Sequence, residues 1–501
     1  MEGNFRKLLR LVFSKPKVSP IWANEENQEP FLRSRSPNPN ELALGWASGK
    51  DETDGREVYQ LKGIPQDRRD AHFYVVGATR SGKTKFLESL IKQDIENGLG
   101  FGVIDPHGDF TEDIKGYLYA LNKDAPELLQ ERVVLIDPTD KTNVATFNPL
   151  EITGGESAEG VVLELAEAFK KIWHDAWGAR MEDLLKNTLI ALIENNLTLG
   201  ELPLFLINRD VRRKVLEKVG HGGCRQYFER FNSLPRNKQD EWMESTLNKV
   251  GAFLFDPALR QMLVAPKSSF NLREVMDEGK ILLIKLAKGQ FKSNADLLGS
   301  LLLAKIQAAA FSRTDTPEPQ RRNFYLYIDE FQNFATESFI TILAEASKYR
   351  LPLTLAHQNL TQLPPALRAS ILSNCRLQAY FQISRDDANI LAKESLASIY
   401  SDPPGWERYV QNLQELPRRG CVIKNKIDGG VIAVRTLDLL PPHEFAETDE
   451  EQFVKEVAAC GIGKNYLRER SKIENEYKKR HEKLTRVEEP ENFREPKKQL
   501  G

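Results

Sequence analysis

Short apolar runs separated by amphipathic stretches set the rhythm of this chain. Ala71-His72-Phe73-Tyr74-Val75-Val76 leads into a glycine-bearing turn, and then Phe86, Leu87, Leu90 and Ile91 follow at helical spacing until Gly98. Phe101-Gly102-Val103-Ile104-Asp105 and Arg132-Val133-Val134-Leu135-Ile136-Asp137 are two more strands with a helical stretch between them. Strands that are apolar on both faces and alternate with helices predict a mostly parallel sheet covered on each side. Between Gly155 and Pro266 the strand signal stops, and the spacing predicts helices over 158–173, 182–194, 211–219 and 238–255. The alternation then resumes: Ile281-Leu282-Leu283-Ile284, a helix over 295–311, Phe324-Tyr325-Leu326-Tyr327-Ile328, a helix over 337–349, Leu353-Thr354-Leu355-Ala356-His357, a helix over 366–373 and a strand over 377–381. The pattern predicts an α/β domain interrupted by an all-helical insertion.

The flanks read differently. Strand-like segments 42–46 and 57–61 enclose a turn-rich stretch, predicting a hairpin that lies against the core, and a second hairpin over 420–424 and 430–435 turns at Asp428-Gly429. Residues 14–40 are rich in Pro, Ser and Asn and read as a linker. The basic, amphipathic stretch Phe5 to Phe13 before them is too short for a secretory signal. It reads as a docked or frayed terminal helix, with the surface of a membrane as the alternative resting place. Beyond Pro441 the chain is helical and charged, and from Arg468 it predicts a solvated helix fading into disorder, a handle for a partner. The expected divisions are 1–40, 41–154, 155–266, 267–440 and 441–501.

Chemistry concentrates at the ends of three strands. Gly77-Ala78-Thr79-Arg80-Ser81-Gly82-Lys83-Thr84 has the spacing of a phosphate-binding loop: the glycines let successive backbone N–H groups point inward at a helix N-terminus. In such a loop Lys83 reaches the β- and γ-phosphates and the Thr84 hydroxyl ligates Mg²⁺. Arg80 faces either nucleotide or solvent. The strand ending at Ile328 runs into Asp329 and Glu330, a pattern in which Asp329 holds Mg²⁺ and Glu330 polarises the attacking water as general base. Gln358, at the end of the strand over 353–357, is the candidate sensor of the γ-phosphate, whereas His357 reads as a packed side chain. The expected small-molecule partners are therefore ATP and Mg²⁺.

Composition narrows the setting. With 501 residues and a net charge of −2, the chain is long enough for several cores and lacks the basic excess of a nucleic-acid coat. Nucleic-acid contact would have to come from local loops. The segment with Arg209, Arg212, Arg213, Lys214, Arg225, Arg230, Arg236 and Lys238 is one candidate, but Glu217, Glu229, Asp240 and Glu241 leave a charge-mixed solvated face equally open. Cys224, Cys375, Cys421 and Cys460 form no C-x-x-C pair and predict reduced, packed thiols in a cytosolic protein. The most apolar stretch, 297–311, is broken by Lys305 and Gln307, so no transmembrane segment is expected.

Taken together, Gly77 to Thr84, Ile104-Asp105-Pro106-His107-Gly108-Asp109, Ile328-Asp329-Glu330-Phe331-Gln332-Asn333-Phe334 and the run from Leu343 through Arg350 to Ala356-His357-Gln358 resemble the FtsK/HerA superfamily of hexameric DNA-pumping ATPases. The resemblance covers roughly 58–435 and is closest to the conjugative coupling ATPases of type IV secretion (TraG/TraD type), whose all-helical domain sits where this chain has its insertion. It implies a RecA-like P-loop core, a homo-hexamer with ATP between subunits, DNA in the channel, and a secretion channel or relaxase as partner. A HerA-like motor paired with a nuclease, and an ATPase that moves protein, are the alternatives. Two departures stand out. The transmembrane hairpin of the fuller coupling ATPases is absent, which leaves a cytoplasmic chain peripheral to the inner membrane face, and the usual trans-acting arginine position holds Ser347. Arg350 and Arg385 are the substitute candidates.

Overall fold

The computed structural model describes residues 40–50, 57–153, 155–336, 339–395, 403–427 and 430–486. The basic stretch 5–13, the linker up to 39, the first hairpin's turn over 51–56, the Asp428-Gly429 turn and the tail from 487 lie outside the described residues. The chain divides into two compact units, one of Met1–Asp140, Ile152–Ala176 and Ser269–Leu467, the other of Lys141–Glu151, Trp177–Ser268 and Arg468–Gly501.

The first unit is built on β1 (Glu41–Lys50), β2 (Glu57–Pro65), β3 (Phe73–Val76), β4 (Phe101–Asp105), β5 (Val133–Ile136), β7 (Ile281–Lys285), β8 (Tyr325–Ile328), β9 (Leu353–His357), β10 (Leu377–Tyr380), β11 (Gly420–Asn425) and β12 (Gly430–Arg435). A separate two-stranded sheet pairs β6 (Asn143–Ala145) with β13 (Leu467–Glu469). The large sheet has the order β2-β1-β12-β11-β10-β3-β9-β8-β4-β7-β5. From β10 to β5 every pairing is parallel, and from β10 outward to β2 every pairing is antiparallel. β3, β4 and β8 are buried along their whole length, which is why their sequences read as continuous apolar runs.

The first hairpin lies against the core, as expected, with Leu42, Leu44 and Ile64 buried in it, and it also extends the sheet edge. Trp46 of β1 registers with Arg435 of β12, and Gln93 of the phosphate-loop helix clamps both the N–H (2.7 Å) and the carbonyl (3.0 Å) of Ala43. Gly45 makes this possible, since a Cβ there would lie 2.3 Å from the Arg435 carbonyl oxygen.

The boundaries of the helical unit differ from expectation. Helix Ala158–Ile172, expected in the insertion, belongs to the sheet unit because its apolar face, with Val161, Val162, Leu165, Ala166 and Phe169, packs on helix Ser293–Phe311. Lys305 of that long helix is buried and paired with Glu156 at 2.8 Å. The stretch Ser293–Asp315 is long and apolar enough to cross a membrane, its most apolar 18 residues having a mean hydropathy of 1.2, yet 72% of that window is buried within the protein.

The helical unit contains Ala179–Glu194, Leu202–Ile207, Arg209–Glu217, Gly222–Ser233, Arg236–Phe255 and Pro257–Leu263. The charged tail joins it as the helix Arg470–Thr485, contrary to the expectation of a free solvated helix. Ile473 is buried, Arg480 pairs with Glu201 at 2.9 Å, and the Tyr477 hydroxyl donates to the Gly200 carbonyl at 2.9 Å. All four cysteines are buried and none is in a disulfide.

Candidate nucleotide site

β3, β9 and β8 are neighbours in the parallel part of the sheet, so their carboxyl ends bring the phosphate loop together with two segments more than 240 residues later in the chain. In open α/β sheets this edge is where ligands bind. The loop after β3 is anchored from both sides: Gly77 N–H donates to the His357 carbonyl (3.3 Å) and Ala78 N–H to that of Gln382 (2.7 Å). Gly82, at φ 112°, caps the helix Lys83–Glu96 in a conformation that disfavours side chains, and a Cβ there would also meet Arg419 at 3.0–3.2 Å. Arg80 is exposed at φ 67° and Thr84 is partly buried.

Lys83 extends across the gap to the end of β8. Its Nζ lies 3.2 Å from Asp329 Oδ1 and 3.0 Å from Glu330 Oε1, all three side chains being buried. One cation thus faces two carboxylates. The consequence is an asymmetric pair: burial raises the Asp329 pKa, only partly offset by Lys83. For Glu330 burial pushes upward too, but Lys83 and the amides of Gln332 and Gln358 prevail and hold it below the usual range. Glu330 itself sits in the left-handed region at φ 47°, which turns its carboxylate back toward the loop.

Gln358 completes the cluster from β9. Its Nε2 donates to Glu330 Oε1 at 2.8 Å, and its Oε1 accepts from the Thr79 hydroxyl at 2.9 Å. A single amide therefore touches both the phosphate loop and the glutamate. His357 is packed, as expected from the sequence: the Tyr74 hydroxyl meets its Nε2 at 2.5 Å, and burial lowers its pKa to about 3. Asp105, prominent in the sequence, holds the loop after β4 together. Its oxygens accept the N–H groups of His107, Gly108 and Thr111 at 2.8–2.9 Å, the last of these in the first turn of the helix Asp109–Leu121, whose N-cap is Gly108.

Neither candidate arginine joins the cluster. Arg350 sits at φ 57° before β9, at the opposite edge of the sheet, with Asp70 at 3.8 Å and Glu318 at 4.0 Å. Arg385 opens the helix Arg385–Ser395 and pairs with Glu407 at 2.7 Å, both side chains exposed. Ser347, in the usual arginine position, turns its hydroxyl to His72 at 3.2 Å.

Sequence reading missed two neighbours of the site. Gln332 donates to Glu330 Oε2 at 2.7 Å, and a polar residue two positions after the glutamate in an aromatic segment was its only signal. Arg419 donates its backbone N–H to the Ser81 carbonyl at 2.8 Å from the turn before β11, and nothing in the sequence marks it. The buried Ser81 hydroxyl has no partner among the described residues, and with the inward-facing loop it fits the cradle a polyphosphate needs.

A family profile described as the type IV secretion-system coupling protein DNA-binding domain matches residues 58–397. Among solved structures the chain is similar to the bacterial conjugative coupling protein TrwBdeltaN70 in its unbound monoclinic form, at 17% identity over 75% of this chain and 86% of that one, with a TM-score of 0.50. It is similar to plasmid coupling protein TrwB in complex with ADP and Mg²⁺ at 17% identity, covering 75% of this chain and 87% of that one, TM-score 0.50. VirB4 of Thermoanaerobacter pseudethanolicus is similar at 15% identity over 81% of this chain and 99% of that one, TM-score 0.51. No curated protein sequence matches the chain. At these identities the structures establish a shared α/β P-loop fold, and the profile bears out the resemblance drawn from the motifs. The chain belongs to the type IV secretion-system coupling protein DNA-binding domain family.

Proposed function

We propose that the chain is an ATP-dependent DNA translocase that hydrolyses ATP between the subunits of a homo-hexamer. The observation that carries this reading is the convergence of Lys83, Asp329, Glu330, Gln358 and Thr79 on one point at the carboxyl ends of β3, β8 and β9. The residues of Gly77-Ala78-Thr79-Arg80-Ser81-Gly82-Lys83-Thr84 would cradle the phosphates. Lys83 would leave the two carboxylates for the β- and γ-phosphates, and Thr84 and Asp329 would hold Mg²⁺. The bound ion supplies charge neutralisation at the phosphate oxygens. Relieved of Lys83, Glu330 takes a proton from water while the water oxygen bonds to the γ-phosphorus and the bond to the bridging oxygen of ADP breaks. Gln358 links that event to the phosphate loop through Thr79. Arg350 or Arg385 acts from the neighbouring subunit, since a cluster with one lysine leaves the developing charge on the γ-phosphate under-compensated. The chain works on the cytoplasmic side, at the inner membrane face, with a secretion channel or relaxase as partner.

The profile that matches 58–397 is that of type IV secretion-system coupling proteins, which favours conjugation or secretion over the nuclease-paired alternative. A protein-moving ATPase is the second reading, favoured by the near-neutral net charge of −2. ATP-dependent displacement of a third strand from duplex DNA, or of streptavidin from biotinylated single strands, tests the translocase. Displacement that stops in Glu330→Gln supports it. ATP hydrolysis without displacement on either track sinks it in favour of the second reading.

A further inference from the structure

The turn that follows Glu330 is held by a residue far away in sequence. Phe331–Asn333 forms a single 3-10 turn, and Gln332 points its amide back to Glu330 Oε2 at 2.7 Å while Lys83 and Gln358 occupy Oε1. The side-chain oxygen Oε1 of Gln332 is buried and meets no hydrogen-bond partner among the described residues. Behind the turn, Lys171 of the helix Ala158–Ile172 donates to the backbone carbonyls of Gln332 (3.0 Å) and Ala335 (2.6 Å). Phe331 is wedged between His357 and Phe339, at ring separations of 5.1 and 6.2 Å, so the turn has little room to shift. A left-handed glutamate is sparsely populated on its own and persists only where its surroundings over-determine it.

We propose that Gln332 and Lys171 are positioning residues for Glu330: Gln332 fixes one carboxylate oxygen, and Lys171 clamps the turn that carries Gln332. The inference rests on Glu330 being the base of an ATPase. The geometry gives the two residues separate tasks. With Oε2 tied to Gln332, the Oε1 lone pair vacated by Lys83 is the one aimed at the water. Lys171 makes no contact with Glu330 and acts only through the backbone of the turn. Burial lowers the Lys171 pKa to about 7, with Asp296 of helix Ser293–Phe311 opposing that fall and Lys288 adding to it. The clamp therefore loses its charge as pH rises through that value.

Steady-state ATP hydrolysis and equilibrium binding of a fluorescent ATP analogue, measured on the full chain, test this. Gln332→Ala and Lys171→Met are expected to lower kcat about tenfold to a hundredfold, the range in which small misplacements of a reacting group fall, while analogue affinity stays within about threefold of wild type. Lys171→Arg, which stays charged, should restore most of the rate. Its kcat should run flat through pH 7, where the wild-type kcat declines. If Lys171→Met fails to fold, the pH profile of Lys171→Arg and the Gln332→Ala rate decide. A wild-type chain that hydrolyses ATP alongside variants within about twofold of it overturns this inference and leaves the ATPase reading standing. A wild-type chain that binds the analogue no better than Lys83→Ala and does not hydrolyse ATP overturns both.

Discussion

Charged side chains are used in opposite ways in the two units. In the sheet unit, Lys83, Asp329 and Glu330 come from distant segments and meet in a buried cluster where one cation is shared by two carboxylates. In the helical unit, Arg212, Arg213, Lys214, Arg236 and Lys238, among the cations that looked like a nucleic-acid surface, are engaged within the unit. Arg213 pairs with Asp210 (3.3 Å), Arg236 with Asp240 (3.2 Å) and Lys238 with Glu241 (2.7 Å), each within one helical turn. Arg212 is buried, donating to the Leu206 carbonyl at 2.5 Å and to Asn232 at 3.0 Å, and Lys214 bonds the carbonyls of Leu484 and Arg486. Local pairs are what a solvated helix face makes anyway. A frustrated long-range cluster has to be held together by the rest of the fold, and that is the stronger mark of chemistry.

The contrast can be broken from either side. Glu330→Gln should leave ATP binding intact and lower hydrolysis about a hundredfold to ten-thousandfold, read by single-turnover kinetics. A loss smaller than tenfold would remove Glu330 from the role of base. Next in size, Arg212→Ala strips the buried carbonyls of Phe205 and Leu206 of a donor and should destabilise the protein by about 2–4 kcal/mol in denaturant unfolding. No change would mean that the guanidinium is free for a ligand after all. A pH effect follows from His72, whose ring nitrogen accepts the Leu353 N–H at 3.0 Å and whose pKa burial lowers to about 4. The unfolded chain takes up this proton near pH 6.5 while the folded one resists it until about 4, so stability falls as pH drops through that window. The loss from His72 should be on the order of 1–3 kcal/mol, and His72→Gln should reduce the slope, leaving the part that His357 contributes. Smallest of all, Arg236→Ala and Lys238→Ala should each change stability by less than about 0.5 kcal/mol. Each should also leave the salt dependence of DNA binding unaltered, whereas a true phosphate contact would reduce its slope by about one.

The parallel core, the phosphate loop, the acidic pair and Gln358 were legible because each lies at the end of a buried strand, where an apolar run gives way abruptly to polar residues. Helix 158–172 was assigned to the wrong unit because periodicity reports that a helix has an apolar face, not which neighbour covers it. The tail was misjudged for a related reason. Its Lys, Arg and Glu look solvated, yet Ile473, Tyr477 and Arg480 suffice to dock it. Lys171 carried no signal at all, because its partners are backbone carbonyls that any sequence possesses.

The central claim is best tested by ATP turnover of the purified chain and of Lys83→Ala, with and without single- and double-stranded DNA at two salt concentrations. The account predicts turnover that DNA stimulates, that salt weakens and that the substitution abolishes. Turnover equal in the two proteins would contradict the site, and turnover lost in Lys83→Ala yet indifferent to every DNA would contradict the DNA motor.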